Sequence, residues 1–317
     1  MRKGQNPAKF VKEVAKPHRI TAAVLNYIPF LSGYYVESLN VLKVCLRSLR
    51  EGADLPFDLL VFDNGSCQEV REFLIQERFE GRIQYLILSE WNLGKGGAWN
   101  IIFGGAPGEI IAYADSDVLF YKGWLSRSIE ILETYLNVGM VTARPFRSKP
   151  DFFTRTVEWA KQAPGVTLEE GQFLSWEVYR DFNLSLGHTE EEIRKKYQAT
   201  RDIRVLYKGV IAHVGASHWQ FVAWKSVLQQ FLPFDMEKPM GQVRRLDERM
   251  NAAGYLRLMV SDPLAMNMSN TPIHPQSAAK PVALAKRSLW RKMLNFPLVK
   301  KSLLVVYDSI FRWYYAN

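Results

Sequence analysis

Four short apolar runs, separated by three segments of helical period, fall within residues 18–143 and constrain this chain more than any other feature. The runs are "RITAAVLNYIPF" from Arg19, "FDLLVFDNGS" from Phe57, "RIQYLILSE" from Arg82 and "EIIAYADSDVLF" from Glu109. Between them stand "YYVESLNVLKVCLRSLREG", "QEVREFLIQERF" and "GGAWNIIFGGA", whose apolar residues recur at three- and four-residue intervals. Unbroken apolar strands alternating with helices predict an α/β fold, a mostly parallel sheet flanked by helices on both faces. Asn64 or Ser66 is placed to cap the second helix, and Thr189 with Glu192 reads as a capping box for "TEEEIRKKY". Beyond Arg144 the pattern is less regular. A strand, a turn at Gly215 and a helix are predicted over 202–231, and a helix opened by Asp247 and ended near Gly254 leads to a further strand.

In a sheet of this kind ligands sit beyond the carboxyl ends of the strands. Three polar clusters fall there: Asn26 with Tyr27, Asp63 with Asn64, and Asp115 with Asp117 around Ser116. A single aspartate at such a place often does no more than cap a turn; three clusters together point to a binding edge. Two carboxylates spaced Asp-x-Asp suit a hard divalent cation, because Mg²⁺ and Mn²⁺ take oxygen ligands and share them with phosphates. The same spacing serves the aspartyl nucleophile of haloacid-dehalogenase-like phosphatases, but those place it after an early strand and continue to a Thr where this chain has Leu119.

Composition sets limits on partners. The formal net charge is +9, yet residues 1–20 and 273–317 supply +5 and +7, which leaves the body at −3. A slightly acidic body argues against nucleic acid; basic tails suit an anionic membrane surface or an acidic partner, or serve solubility alone. Cys45 and Cys67 are too few for a disulfide framework, no apolar run reaches the length of a membrane span, and no secretion signal follows the basic N-terminus, so a cytoplasmic location is expected, with peripheral contact at the inner face of the membrane through the tails. The final segment, from Leu298, reads as an amphipathic helix that could meet a membrane, the body or a second copy in a homo-oligomer.

The ordered set "VLNY", "VFDNGS", "NLGKGGAWN" and "YADSDVLF" across residues 18–120 resembles the family 2 glycosyltransferases of the GT-A fold. The resemblance implies a Rossmann-like, mostly parallel sheet with donor half 18–143, acceptor half 144–272, a basic tail 1–17 and a helical extension 273–317. It implies an inverting, metal-dependent hexosyltransferase that moves a sugar from a nucleotide diphosphate sugar to the hydroxyl of a glycan or lipid-linked acceptor, in surface glycan or glycolipid synthesis. Carried over by position, Asn26, Tyr27, Asp63, Asn92, Gly94, Lys95, Asp115, Ser116 and Asp117 would line the nucleotide sugar, and Asp117 with Asp115 would hold Mn²⁺ or Mg²⁺. Asn267, in "NMSN", stands where relatives often carry a metal-binding His. The acidic pair expected upstream of Gly254-Tyr255 is replaced by Gln242 and Val243, so Asp247, or Glu248, is the candidate base; His218 and Trp219 are candidate acceptor contacts. A non-catalytic module that only binds nucleotide sugar is the competing reading, and a nucleotidyltransferase lacks its Arg- and Lys-bearing loop after the first strand.

Overall fold

The computed structural model describes residues 4–237 and 241–273. The predicted helical extension at 273–317 lies almost wholly outside the described residues, and residues 4–17 form an exposed tail with one 3₁₀ turn, Pro7–Phe10.

The first half runs β1 (Ile20–Asn26), α1 (Ser38–Gly52), β2 (Asp58–Asn64), α2 (Gln68–Phe79), β3 (Tyr85–Ser89), α3 (Gly94–Gly105), β4 (Ile110–Asp115), β5 (Val118–Phe120) and α4 (Trp124–Thr134). The remainder comprises β6 (Val138–Thr142), α5 (Thr154–Gln162), β7 (Val166–Gly171), α6 (Trp176–Ser185), α7 (Glu190–Ala199), β8 (Asp202–Tyr207), β9 (Val210–Val214), β10 (Gln220–Trp224), α8 (Lys225–Gln229), α9 (Gln242–Ala252), β11 (Leu256–Met259) and β12 (Ala265–Asn267).

Ten strands form one sheet in the order β3-β2-β1-β4-β10-β6-β11-β9-β8-β7. β1 pairs in parallel with both β2 and β4, and β2 with β3, as the apolar runs predict. Because β1 is buried on both faces, successive residues enter two different cores. Ala22 and Val24 pack with Val41, Leu42 and Leu46 of α1, whereas Ala23 packs with Ala98, Trp99 and Phe103 of α3. The chain winds outward from β1 to β3 and then returns across it to β4, so α1 and α2 lie on one face and α3 on the other. That reversal opens a crevice beyond the carboxyl ends of β1 and β4.

The second half completes the same sheet. β10 inserts antiparallel between β4 and β6, and the β8–β9 hairpin turns on Lys208 (φ 49°) and Gly209 (φ 80°), the paired left-handed conformation a two-residue hairpin needs. Three expectations are corrected here. The helix predicted after Gly215 is strand β10 followed by only the short α8: "QFVAW" is covered on both faces, so the alternation that marks a strand is absent. Asn64 and Ser66 do not cap α2, whose N-cap is Cys67, because the Ser66 hydroxyl accepts from Asn26 and from the Ile28 amide instead. Helix α9 opens at Gln242, so Asp247 lies within it and not at its start. The Thr189–Glu192 capping box is formed as expected.

Candidate functional site

β4 carries its apolar run to Asp115, the chain turns at Ser116 and Asp117, and β5 follows. β5 pairs with β12, Val118 opposite Asn267, which brings the C-terminal "NMSN" segment against the turn. The Met268 amide donates to the Asp117 carbonyl at 2.8 Å, and Asn267 Nδ2 donates to Asp117 Oδ2 at 3.2 Å. The other carboxylate oxygen, Asp117 Oδ1, is buried and has no hydrogen-bond partner among the described residues. Burial, with Asp115 close by, pushes the Asp117 carboxyl up to about 7; Lys95 and the Asn267 donor counter only part of this. A carboxylate so placed is stabilised by any cation that reaches its free oxygen.

Asp115 is differently committed. Lys95 Nζ contacts both of its oxygens, at 2.7 and 2.8 Å, and the Tyr113 hydroxyl donates to Oδ1 at 2.6 Å. Lys95 also lies 5.4 Å from the Trp99 ring centroid and 5.6 Å from that of Tyr113, so the ion pair rests on an aromatic floor. Burial, with Asp115 beside it, raises the Tyr113 phenol well above its ordinary value and keeps it a donor.

Asn26 and Asp63 are fully buried. Asp63 accepts from Asn26 Nδ2 at 2.9 Å and from the Ser66 amide at 3.0 Å, so in this form both of its oxygens hold the loops after β1 and β2 together. Tyr27 is exposed at 38%. Asn92 accepts from Asn64 at 2.9 Å and from the Gly94 amide at 2.8 Å, and Asn64 in turn accepts from the Leu93 amide, which fixes the entry to α3. Gly94 adopts a positive φ of 66° there. Two residues on, a Cβ at Gly96 would come within 2.6 Å of the Asp235 carbonyl oxygen, so the helix must approach that segment without a side chain.

The third group stands on β10 and α9. Trp219, in register with β4, accepts from the Asp115 amide through its carbonyl at 2.8 Å, which sets His218 beside the Asp115–Asp117 turn. His218 is partly exposed, and its Nδ1 lies 3.4 Å from Asp247 Oδ2. Asp247 is buried, and its Oδ1 accepts from Arg257 Nη2 at 2.5 Å. Arg257 is wholly buried and also donates to the carbonyls of Phe152 and Ala216. The result is a relay from a partly exposed imidazole through a buried carboxylate to a buried guanidinium, its first step a 3.4 Å contact that lacks the geometry of a hydrogen bond. Glu248 faces away, exposed and paired with Arg244 at 2.7 Å.

Tyr113 and Arg257 were not among the expected site residues. Arg257 did leave a signal, a cation inside the apolar run "YLRLMV", where only a buried anion can justify it.

Among the described residues no group of three or more His, Cys, Asp and Glu could enclose a metal ion. Asp117, with its orphaned oxygen, supplies one good ligand, and Asp115 a second that Lys95 already partly neutralises. As placed, Asn267 gives its nitrogen to Asp117 and its oxygen to the Ser269 amide, the arrangement of a positioning donor. Such a set fits Mg²⁺ or Mn²⁺ completed by phosphate oxygens and water, and not a closed protein cage.

The sheet thus carries an aspartate pair at its reversal point, the place where doubly wound α/β proteins hold their ligands. The model of glycosyl transferase family 2 matches residues 34–206, more than half of the chain, and the chain belongs to that family. It is 29% identical over 84 residues to an uncharacterized glycosyltransferase of Nostoc sp., a match that covers 26% of each chain. Among solved structures it is similar to residues 1–349 of S. aureus TarS, with TM-score 0.45 and 16% identity over 78% of this chain and 59% of that one. A mannosyltransferase from Pyrobaculum calidifontis, solved with GDP-Man and Mn²⁺, matches with TM-score 0.45 and 15% identity over 81% and 60%. The chain thus spans about a quarter of the curated relative and about three-fifths of these structures. Membership in this family leaves the phosphatase reading of the Asp-x-Asp without support.

Proposed function

We propose that the protein is a metal-dependent, inverting glycosyltransferase that moves a sugar from a nucleotide diphosphate sugar to an acceptor hydroxyl. The observation that carries this reading is the buried, unpartnered Asp117 oxygen beside the Lys95–Asp115 pair at the sheet reversal. Asp117, assisted by Asp115, would hold Mn²⁺ or Mg²⁺, which when bound offsets the negative charge that grows on the departing diphosphate. Lys95 adds a cation on the same side, and Asn92, Gly94 and Ser116 lie along the donor. Asn26 and Asp63 keep the base-binding loops in shape, with Tyr27 at their rim.

The relay on β10 and α9 bears on the base. Asp247 is buried against Arg257, which limits its access to an acceptor; His218, partly exposed, is the group in front of it. In our reading the acceptor oxygen bonds to the anomeric carbon as the bond to the diphosphate oxygen breaks on the opposite face. The hydroxyl proton passes to His218 Nε2, while Asp247 takes the Nδ1 side of the ring and steadies the imidazolium. Trp219 and the segment after Arg144 would form the acceptor side.

A module that binds nucleotide sugar without turnover is favoured by one observation, the replacement of the expected acidic pair by Gln242 and Val243. Release of nucleoside diphosphate from a panel of nucleotide sugars, with Mn²⁺ or with chelator, separates the two. Metal-dependent release that falls about 10²-fold or more in kcat in His218→Gln, with KM for donor little changed, is the expected result. Donor binding without release, across all donors and acceptors tried, would favour the module; failure to bind any donor would overturn both. No described helix is long and apolar enough to cross a membrane. A glycan or lipid-linked acceptor, with membrane contact through the basic tails, remains part of the proposal.

A further inference from the structure

A cavity of about 550 Å³ opens on the second half of the sheet, lined by residues of the loop after β6, of α6 and α7, and of β8 and β9. Its floor is electrically closed. Arg147 binds Asp202 through Nε at 2.6 Å, gives Nη1 to the Tyr197 carbonyl and Thr200 Oγ1, and is sandwiched 4.6 and 4.7 Å from the ring centroids of Tyr179 and Tyr197. Asp202 also accepts from the amides of Phe173 and Leu174. The one lining histidine, His213, is buried, which pushes it toward the neutral form.

The rim differs. Lys149, Lys196 and Arg201 line the cavity and, among the described residues, reach no carboxylate; Arg201 donates to the backbone carbonyls of Gln198 and Thr200. Pairing elsewhere in the segment is mixed: Arg144, Lys161 and Lys208 also stand without an ion pair among the described residues, whereas five other cations have one. Arg155, Arg180, Arg194, Lys195 and Arg204 pair with Glu158, Asp181, Glu190, Glu191 and Glu169 respectively. On α7 itself, Arg194 and Lys195 are paired one turn back while their neighbour Lys196, at the cavity, is not. Against the three rim cations stands a single lining carboxylate without a partner among the described residues, Glu170, so the concavity holds a net positive charge in a body that is negative as a whole. A concave surface focuses such a field on whatever enters it.

The cavity adjoins the transfer site. Ser148 lines it and stands so close to Gly215 that a Cβ there would fall within 2.9 Å of the Ser148 Cβ; three residues on is His218. An aromatic row also joins the two, with Phe146 at the cavity 5.3 Å from Phe182, and Phe182 6.1 Å from Trp219. We propose that the cavity holds a phosphate ester borne by the acceptor, bound by Lys149, Lys196 and Arg201, while the acceptor's sugar extends along the aromatic row toward His218. This deepens the reading above and rests on its placement of the acceptor side.

The test is calorimetric titration of the full chain, in chelator, with inorganic phosphate and with glycerol 3-phosphate, beside sedimentation with phosphatidylcholine vesicles doped with phosphatidic acid. The wild type is expected to bind a phosphate at one site, more weakly as salt is raised, with affinity about tenfold or more lower in Lys149→Gln/Lys196→Gln and recovered in Lys149→Arg/Lys196→Arg. Binding of the soluble probes assigns the phosphate to the glycan; binding confined to vesicles, and lost in the glutamine pair, assigns it to a lipid carrier. No binding of any probe, or binding that the glutamine pair leaves unchanged, overturns the proposal. Binding of UDP and GDP with Mn²⁺ by the wild type, measured in parallel, reports on the donor reading alone, so the two can fail separately.

Discussion

Replacing Asp117 by Asn should make the metal-free protein more stable at alkaline pH while removing its response to divalent cations. The Asp117 carboxyl lies at about 7 because it is buried beside Asp115, whereas in the unfolded chain it titrates near the ordinary 4. Between those two values the folded state holds a proton that the unfolded state has lost, so stability falls as pH rises from about 4 to about 7 and is level above. A carboxyl displaced that far corresponds to about 4 kcal/mol, and relaxation in a medium more polarisable than a dry interior reduces this to about 2 kcal/mol. Asn cannot ionise, and its amide can keep a hydrogen bond with Asn267. The variant should therefore match the wild type near pH 4.5 and exceed it by about 2 kcal/mol near pH 8.5, about 4 °C in Tm for a chain of this size. Mn²⁺ or Mg²⁺ should raise the wild-type Tm at the alkaline pH and leave that of the variant unchanged. Thermal unfolding at the two pH values, with and without metal, measures all of this. A variant less stable than the wild type at alkaline pH, or a gap that does not change with pH, would refute the reasoning.

Two further substitutions probe the frame around the site. Arg257→Ala strands the buried Asp247 and should cost about 3–5 kcal/mol in urea unfolding, whereas Arg257→Met with Asp247→Leu should recover most of that loss and still lack transferase activity. Gly96→Ala drives a methyl against the Asp235 carbonyl oxygen and should destabilise by about 1–3 kcal/mol; Gly104→Ala, on the same helix with open space around it, should be neutral or stabilising by up to about 1 kcal/mol.

Much of the first half was legible in the chain because its physics is local. An apolar run of strand length, a helical-period segment and a glycine turn repeat through β1–β4, and right-handed crossovers leave few ways to arrange them. The same alternation places Asn26, Asp63, Asp115 and Asp117 at one edge, since a strand's end is marked in sequence by the change from apolar to polar. Other features were not legible, and in each case a long-range partner decided them. "QFVAW" reads no differently as a buried strand or a helix until β4 and β6 close on its two sides. Asp247 looks like an exposed helix-opening carboxylate until α9 is seen to start at Gln242 and β11 to bring Arg257 beneath it. Lys95 and Asp115 are twenty positions apart, and Asp117 and Asn267 are one hundred and fifty, so no local pattern announces that one aspartate is neutralised by a lysine while the other keeps a bare oxygen. The sequence by itself determined which strands form and which side chains stand at their ends; only the tertiary structure decided which of those charges are paired, because pairing depends on distances that the sheet order sets and chain separation does not encode.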